Sequence, residues 1–175
     1  MKKLIIIALS VALLLTFSAC SAPESGEDSS EESAEASKMP DFTVYTAEGE
    51  KVTLYEKLEG PVVINFWATW CPPCKSELPA FDALAKEYEG RVEFMMVDLT
   101  DGERETVDGV LSFLSEYGYT FPVYYDKDGN AAMLYGVSSI PLTIFLDSEG
   151  QLCDYHLGAM TEDALKESIE ALLNK

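Results

Sequence analysis

The sequence predicts a single α/β domain built on a central mixed β-sheet with helices packed against it. Three observations carry that expectation. Runs of apolar, β-branched residues alternate with stretches whose apolar positions recur at helical spacing. The run Val62-Val63-Ile64-Asn65-Phe66-Trp67 is almost without polar positions, as a strand covered on both faces would be. The chain has 175 residues, 47% hydrophobic and 11% aromatic, which suffices for one ordinary core. We see no internal repeat.

In chain order, Asp41–Tyr45 and Lys51–Tyr55 read as two short strands around the turn Ala47-Glu48-Gly49-Glu50. Gly60-Pro61 then punctuates before the strand Val62–Trp67. Leu78, Phe81, Leu84, Ala85 and Tyr88 mark a helix opening near Cys74 and stopped by Gly90. Val92–Val97 is the next strand. Val107, Val110, Leu111 and Leu114 place a helix over Glu103–Tyr117, ended by Gly118. Phe121–Tyr125 is a short strand and Asn130–Tyr135 a short helix. Thr143–Asp147 and Gln151–Leu157 form a hairpin around Ser148-Glu149-Gly150, and Thr161-Glu162-Asp163 caps a last amphipathic helix through Leu173.

The N-terminus is organised differently. Lys2 and Lys3 precede an apolar run from Leu4 to Leu15 and the small-residue site Phe17-Ser18-Ala19-Cys20. This resembles the lipobox of a bacterial lipoprotein, with Phe17 departing from the usual Leu. It implies a signal peptide over residues 1–19, a lipid on Cys20, and an extracytoplasmic protein tethered to the outer face of the cytoplasmic membrane. An uncleaved helix is the alternative, but the apolar run is short against the ~20 residues a span needs. Residues 20–38 form an acidic Ser/Glu-rich linker, with Glu24, Glu27, Asp28, Glu31, Glu32 and Glu35 against Lys38 alone. Such a segment cannot form a core and is expected to be disordered, extended by its own charge. The folded domain is expected over residues 39–175.

Net charge is −19, from 12 basic and 31 acidic residues. That balance argues against nucleic acid, whose phosphates would be repelled. It suits partners neutral or basic at the contact, although a solvated acidic surface explains it as well.

Chemistry concentrates at Trp70-Cys71-Pro72-Pro73-Cys74. A strand ends, Cys71 follows, and a helix opens, so unpaired N–H groups and the positive end of the helix dipole favour a thiolate at Cys71. Pro72 and Pro73 have no N–H to offer, which leaves the Cys74 N–H as the local donor. Cys71 is therefore the expected nucleophile and the more exposed cysteine, with Cys74 one turn in. Alone, a C-x-x-C also serves structural bridges and metal sites. Zinc would need further ligands, and only Cys153 and the single His156 remain. Cys153 reads as a small buried hydrophobe, and His156 is assigned nothing. A peroxidase would need a cysteine in a Pro-Thr-Cys setting, which is absent. Trp67 reads as a core anchor and Trp70 as a contact beside Cys71.

The segment Phe66-Trp67-Ala68-Thr69-Trp70-Cys71-Pro72-Pro73-Cys74-Lys75-Ser76-Glu77-Leu78-Pro79 resembles the active-site segment of TlpA/ResA-type thioredoxin-like proteins. Gly136-Val137-Ser138-Ser139-Ile140-Pro141-Leu142-Thr143-Ile144-Phe145-Leu146-Asp147 resembles their second signature, where a cis-proline precedes a core strand. The two segments and the strands around them cover most of residues 39–175. The resemblance implies a thioredoxin-like fold with an N-terminal β-hairpin and a central helix–strand insert. It implies a redox-active Cys71–Cys74 pair, no other cofactor and no metal. Glu77 would be buried near the cysteines and handle protons, replacing the Asp that minimal thioredoxins carry where this chain has Asn65. Pro141 would be cis and face the pair, with Trp70, Pro72, Pro73, Ile140 and Pro141 contacting substrate.

By the same resemblance the partners are disulfide or thiol groups of exported proteins, reduced for instance in cytochrome c maturation. Electrons would come from a membrane thiol donor of CcdA/DsbD type, and the protein would act as a monomer. The motif does not determine direction, which turns on about 1.4 kcal/mol per 30 mV. A disulfide-forming oxidant and an electron donor to a methionine sulfoxide reductase use the same chemistry. A surface binding module stapled by the pair is the non-catalytic alternative.

Overall fold

The computed structural model describes residues 38–174. The leader, Cys20 and all of the linker before Lys38 lie outside the described residues. The element order is β1 (Thr43–Tyr45), β2 (Lys51–Thr53), β3 (Val62–Trp67), α1 (Pro72–Glu87), β4 (Glu93–Asp98), α2 (Val107–Tyr117), β5 (Val123–Tyr125), α3 (Asn130–Leu134), β6 (Leu142–Leu146), β7 (Leu152–Leu157) and α4 (Glu162–Leu173). The strands form one seven-stranded mixed sheet in the order β2-β1-β5-β4-β3-β6-β7. Strands β3, β4 and β5 are parallel, while β6 runs antiparallel to β3, β7 to β6, and β1 to both β2 and β5. This is the expected thioredoxin-like α/β fold, with the hairpin β1–β2 joined to the inserted strand β5.

Every residue of β3 is buried, and its side chains alternate between two cores. Val63 and Trp67 join the core against α1 and α4, with Leu78, Phe81, Leu84, Leu165 and Ile169. Val62, Ile64 and Phe66 join the other, with Phe42, Val44, Leu54 and Ala131. The period-two pleat therefore puts Asn65 on the α1 face, and β4 sets Met96 opposite Asn65 and Asp98 opposite Trp67.

Helix α1 starts earlier than the apolar pattern indicates. Pro72 and Pro73 occupy its first two positions, where the missing N–H groups would have had no helical acceptor, and Cys71 is the N-cap. Helix α2 starts later than expected, at Val107 and not Glu103. Thr106 caps it by accepting the Gly109 N–H on its hydroxyl at 3.1 Å, and Gly118 closes it at φ 72°. The residues before it are held otherwise: Asp101 Oδ1 accepts the N–H groups of Glu103, Arg104 and Glu105 at 2.8, 2.7 and 2.9 Å. A side-chain carboxylate satisfying three successive amides competes with the helix for them.

Candidate active site

Strand β3 and helix α1 deliver the cysteines as the local sequence requires. Cys71 and Cys74 form a disulfide, with Cα atoms 5.3 Å apart. The Cys74 N–H points at Cys71 Sγ from 3.3 Å, so the one local donor left by the two prolines is aimed at the sulfur. Across the site the Ile140–Pro141 peptide is cis, and Cys71 Sγ lies 3.8 Å from the Ile140 carbonyl oxygen.

The expected order of exposure holds within a buried pair. Cys71 is more exposed than Cys74, but only by 3% against 0%. In the disulfide its sulfur turns onto Cys74 and is flanked by the Ile140 carbonyl, so the pair is recessed. The surrounding surface is offered by Trp70, by Pro72 and Pro73, both exposed, and by half-buried Ile140. Pro141 itself is buried, which leaves Ile140 as the accessible part of that segment. The Arg104 guanidinium sits 3.9 Å from the centroid of the Trp70 ring, a cation–π contact at the rim.

Beneath the pair, Glu77 of α1 is buried. Its Oε1 accepts from Asn65 Nδ2 at 2.9 Å and its Oε2 from the Met160 N–H at 2.9 Å. Asn65 Nδ2 also donates to Thr143 Oγ1 at 3.0 Å, and Asn65 Oδ1 has no partner. Burial pushes the Glu77 carboxyl up to about 7 against these two hydrogen bonds, which favour its ionised form. A carboxyl held near neutrality can both give and take a proton at working pH.

Trp67 is a core residue and Trp70 is partly exposed, as expected. Cys153 is half-buried against the α1-side core and not enclosed, and His156 is exposed on β7. Sequence reasoning missed the loop before α2. Glu105 and Asp98 are both buried, with Glu105 gripping Thr69 beside the cysteine pair and Asp98 raised to about 8, chiefly by burial. The signal was faint: Asp101 and Thr106, two cap-forming residues, bracket the stretch.

Residues 36–154 match the AhpC/TSA family. The chain is 38% identical over 136 residues to the thioredoxin-like protein YneN of Bacillus subtilis, covering 78% of this chain and 79% of that one. It is 38% identical over 133 residues to the thiol-disulfide oxidoreductase ResA of Halalkalibacterium halodurans, covering 75% and 73%. The structure resembles that of the exposed lipoprotein thioredoxin of Streptococcus pneumoniae, with a TM-score of 0.65 and 30% identity over 76% of this chain and 100% of the other. With a bonded cysteine pair capping α1 opposite a cis-proline, the chain belongs to the AhpC/TSA family as a TlpA/ResA-like thiol–disulfide oxidoreductase of thioredoxin fold.

Proposed function

We propose that this oxidoreductase works in the reducing direction on disulfides of exported proteins, cytochrome c maturation among its uses, from a lipid anchor on Cys20 outside the cytoplasmic membrane. The Cys71 thiolate attacks one sulfur of a client disulfide, and the other client sulfur leaves as a thiolate that takes up a proton. Cys74 then attacks Cys71 Sγ, closing the Cys71–Cys74 bond and releasing the second client sulfur. The Cys74 thiol must lose its proton in that step. Glu77, buried one turn along α1 and raised to about 7, is the group assigned to take it. The Cys71–Cys74 disulfide facing a cis Ile140–Pro141 peptide, with the buried Glu77 carboxyl one turn along α1, carries the reading, because a structural staple would gain nothing from a buried proton acceptor. A membrane thiol donor of CcdA/DsbD type restores the reduced pair. The lipobox-like Cys20 and the likeness to a lipoprotein thioredoxin support the anchoring.

Trapping tests this reading. A Cys74→Ala chain expressed in an exporting host should accumulate mixed disulfides through Cys71 with exported thiol proteins, and the wild-type chain should reduce insulin. A Cys74→Ala chain that captures nothing, with a wild-type protein that does not reduce insulin, would refute it.

A further inference from the structure

The end of β4 and the loop before α2 hold a pair of buried carboxyl groups that the thiol chemistry leaves unused. Glu105 is 2% exposed and Asp98 0%. Glu105 reaches the segment that delivers Cys71: Oε1 accepts the Thr69 backbone N–H at 2.8 Å, and Oε2 accepts the Thr69 hydroxyl at 2.8 Å. Both oxygens are thus occupied by donors from one residue, two positions before Cys71. At the end of β4, Asp98 Oδ1 accepts the Thr100 hydroxyl at 2.6 Å, whereas Asp98 Oδ2 is buried with no donor.

Hydrogen-bond accounting assigns the proton. Two adjacent carboxyls shielded from water do not both ionise. Glu105 receives a donor on each oxygen, both from Thr69. Asp98 Oδ2, at which nothing points, carries the proton and becomes a donor to the Glu105 carboxyl. The groups that face Asp98 are Glu105, Asp101 and the Thr100 hydroxyl from the loop and Tyr125 from β5, so its charged neighbours are acidic. Asp101 builds the loop through its three backbone acceptances, which set Arg104 over Trp70 and Glu105 on Thr69. Two adjacent loop residues therefore hold the two residues that precede the nucleophile.

We propose that Glu105 is a positioning residue of the redox centre: its buried carboxyl, accepting both the backbone N–H and the hydroxyl of Thr69, fixes Thr69 and through it the placing of Trp70 and Cys71 against Ile140. This rests on the thiol–disulfide reading of the site. Loss of the Asp98 proton removes a donor to the Glu105 carboxyl and puts negative charge beside it, which disturbs its hold on Thr69. Exchange then depends on a second proton, separate from that of Glu77.

The test uses the full reduced chain and three readouts across pH: Cys71 alkylation by iodoacetamide, located by tandem mass spectrometry, insulin reduction, and the unfolding midpoint. Glu105→Ala should lower insulin reduction about tenfold at neutral pH, as small misplacements of reacting groups do. Thr69→Val, which removes only the hydroxyl bond, should give a smaller loss. If Glu105→Ala does not fold, the isosteric Glu105→Gln should still lower insulin reduction, by less than about tenfold. The wild-type insulin rate, divided by the thiolate fraction that alkylation reports, should decline as pH rises through about 8. Asp98→Asn carries a donor that does not titrate and should abolish that decline. A purely structural role would move the midpoint and leave this profile unchanged. The proposal is overturned if Glu105→Gln and Thr69→Val both keep the wild-type alkylation profile and insulin rate, or if Asp98→Asn retains the alkaline decline. A wild-type chain that alkylates at Cys71 yet does not reduce insulin overturns the redox reading instead, and the alkylation profiles still decide on Glu105.

Discussion

Replacing Glu77 by Gln probes the buried carboxyl without emptying its place. Gln Oε1 can still accept the Met160 N–H, and turning over the Asn65 amide would offer its unpartnered Oδ1 to the new Nε2–H. Raising the carboxyl from 4.5 to about 7 corresponds to about 3 kcal/mol, at roughly 1.4 kcal/mol per pH unit. Glu77 is 1% exposed, so solvent screening takes little from that figure. Because the folded state holds the proton more tightly, the group's stabilising contribution is complete below the unfolded value of 4.5 and is lost as pH rises through about 7. Glutamine has no proton to lose. Stability of the Gln variant relative to wild type should therefore climb by about 3 kcal/mol between those limits, whatever its offset at acid pH. Urea unfolding of both proteins with the disulfide intact measures this as a widening difference in ΔG at matched slope. A difference that stays constant across the range would refute both the raised carboxyl and the proton-transfer role built on it. In the reduced enzyme the same variant should lose the inflection near 7 in its exchange profile.

Two further outcomes follow from the packing. Phe81 is fully buried beneath the sheet and packs edge-on to Phe94 at 6.5 Å, so Phe81→Ala should cost about 3–5 kcal/mol by transfer and cavity terms. A fall in urea midpoint at unchanged slope checks it, and a loss below about 1 kcal/mol would mean that the α1 interface collapses onto the gap. Trp70 is 37% exposed and held beneath Arg104 at the rim, so Trp70→Ala should raise KM for a protein disulfide severalfold, about as expected for an aromatic contact. If kcat takes the loss and KM does not move, Trp70 is not a client contact.

Local chemistry made much of this protein legible before any tertiary structure. The apolar run of β3, interrupted only at Asn65, marks a strand buried on both faces, Pro72-Pro73 suit the opening turn of α1, and Gly118 ends α2 because it adopts φ 72° without a Cβ clash. The spacing of Cys71 and Cys74 sufficed to place a bondable pair at a helix tip. The start of α2 was misread because Glu103–Glu105 carry ordinary helix formers, whereas Asp101 claims their amides first.

What only the fold decided is which polar groups lose water together. Glu77 meets Met160, 83 residues away, and Asn65 meets Thr143, 78 away, because β3, β6 and α1 close over one face. Glu105 reaches Thr69 across 36 residues, and Ile140 reaches Cys71 across 69. Desolvation depends on everything that surrounds a group, and no window along the chain contains those neighbours. The sequence by itself determined that two sulfurs would meet at the tip of α1. The tertiary structure alone decided which carboxyls are buried beside them, and so where the protons go.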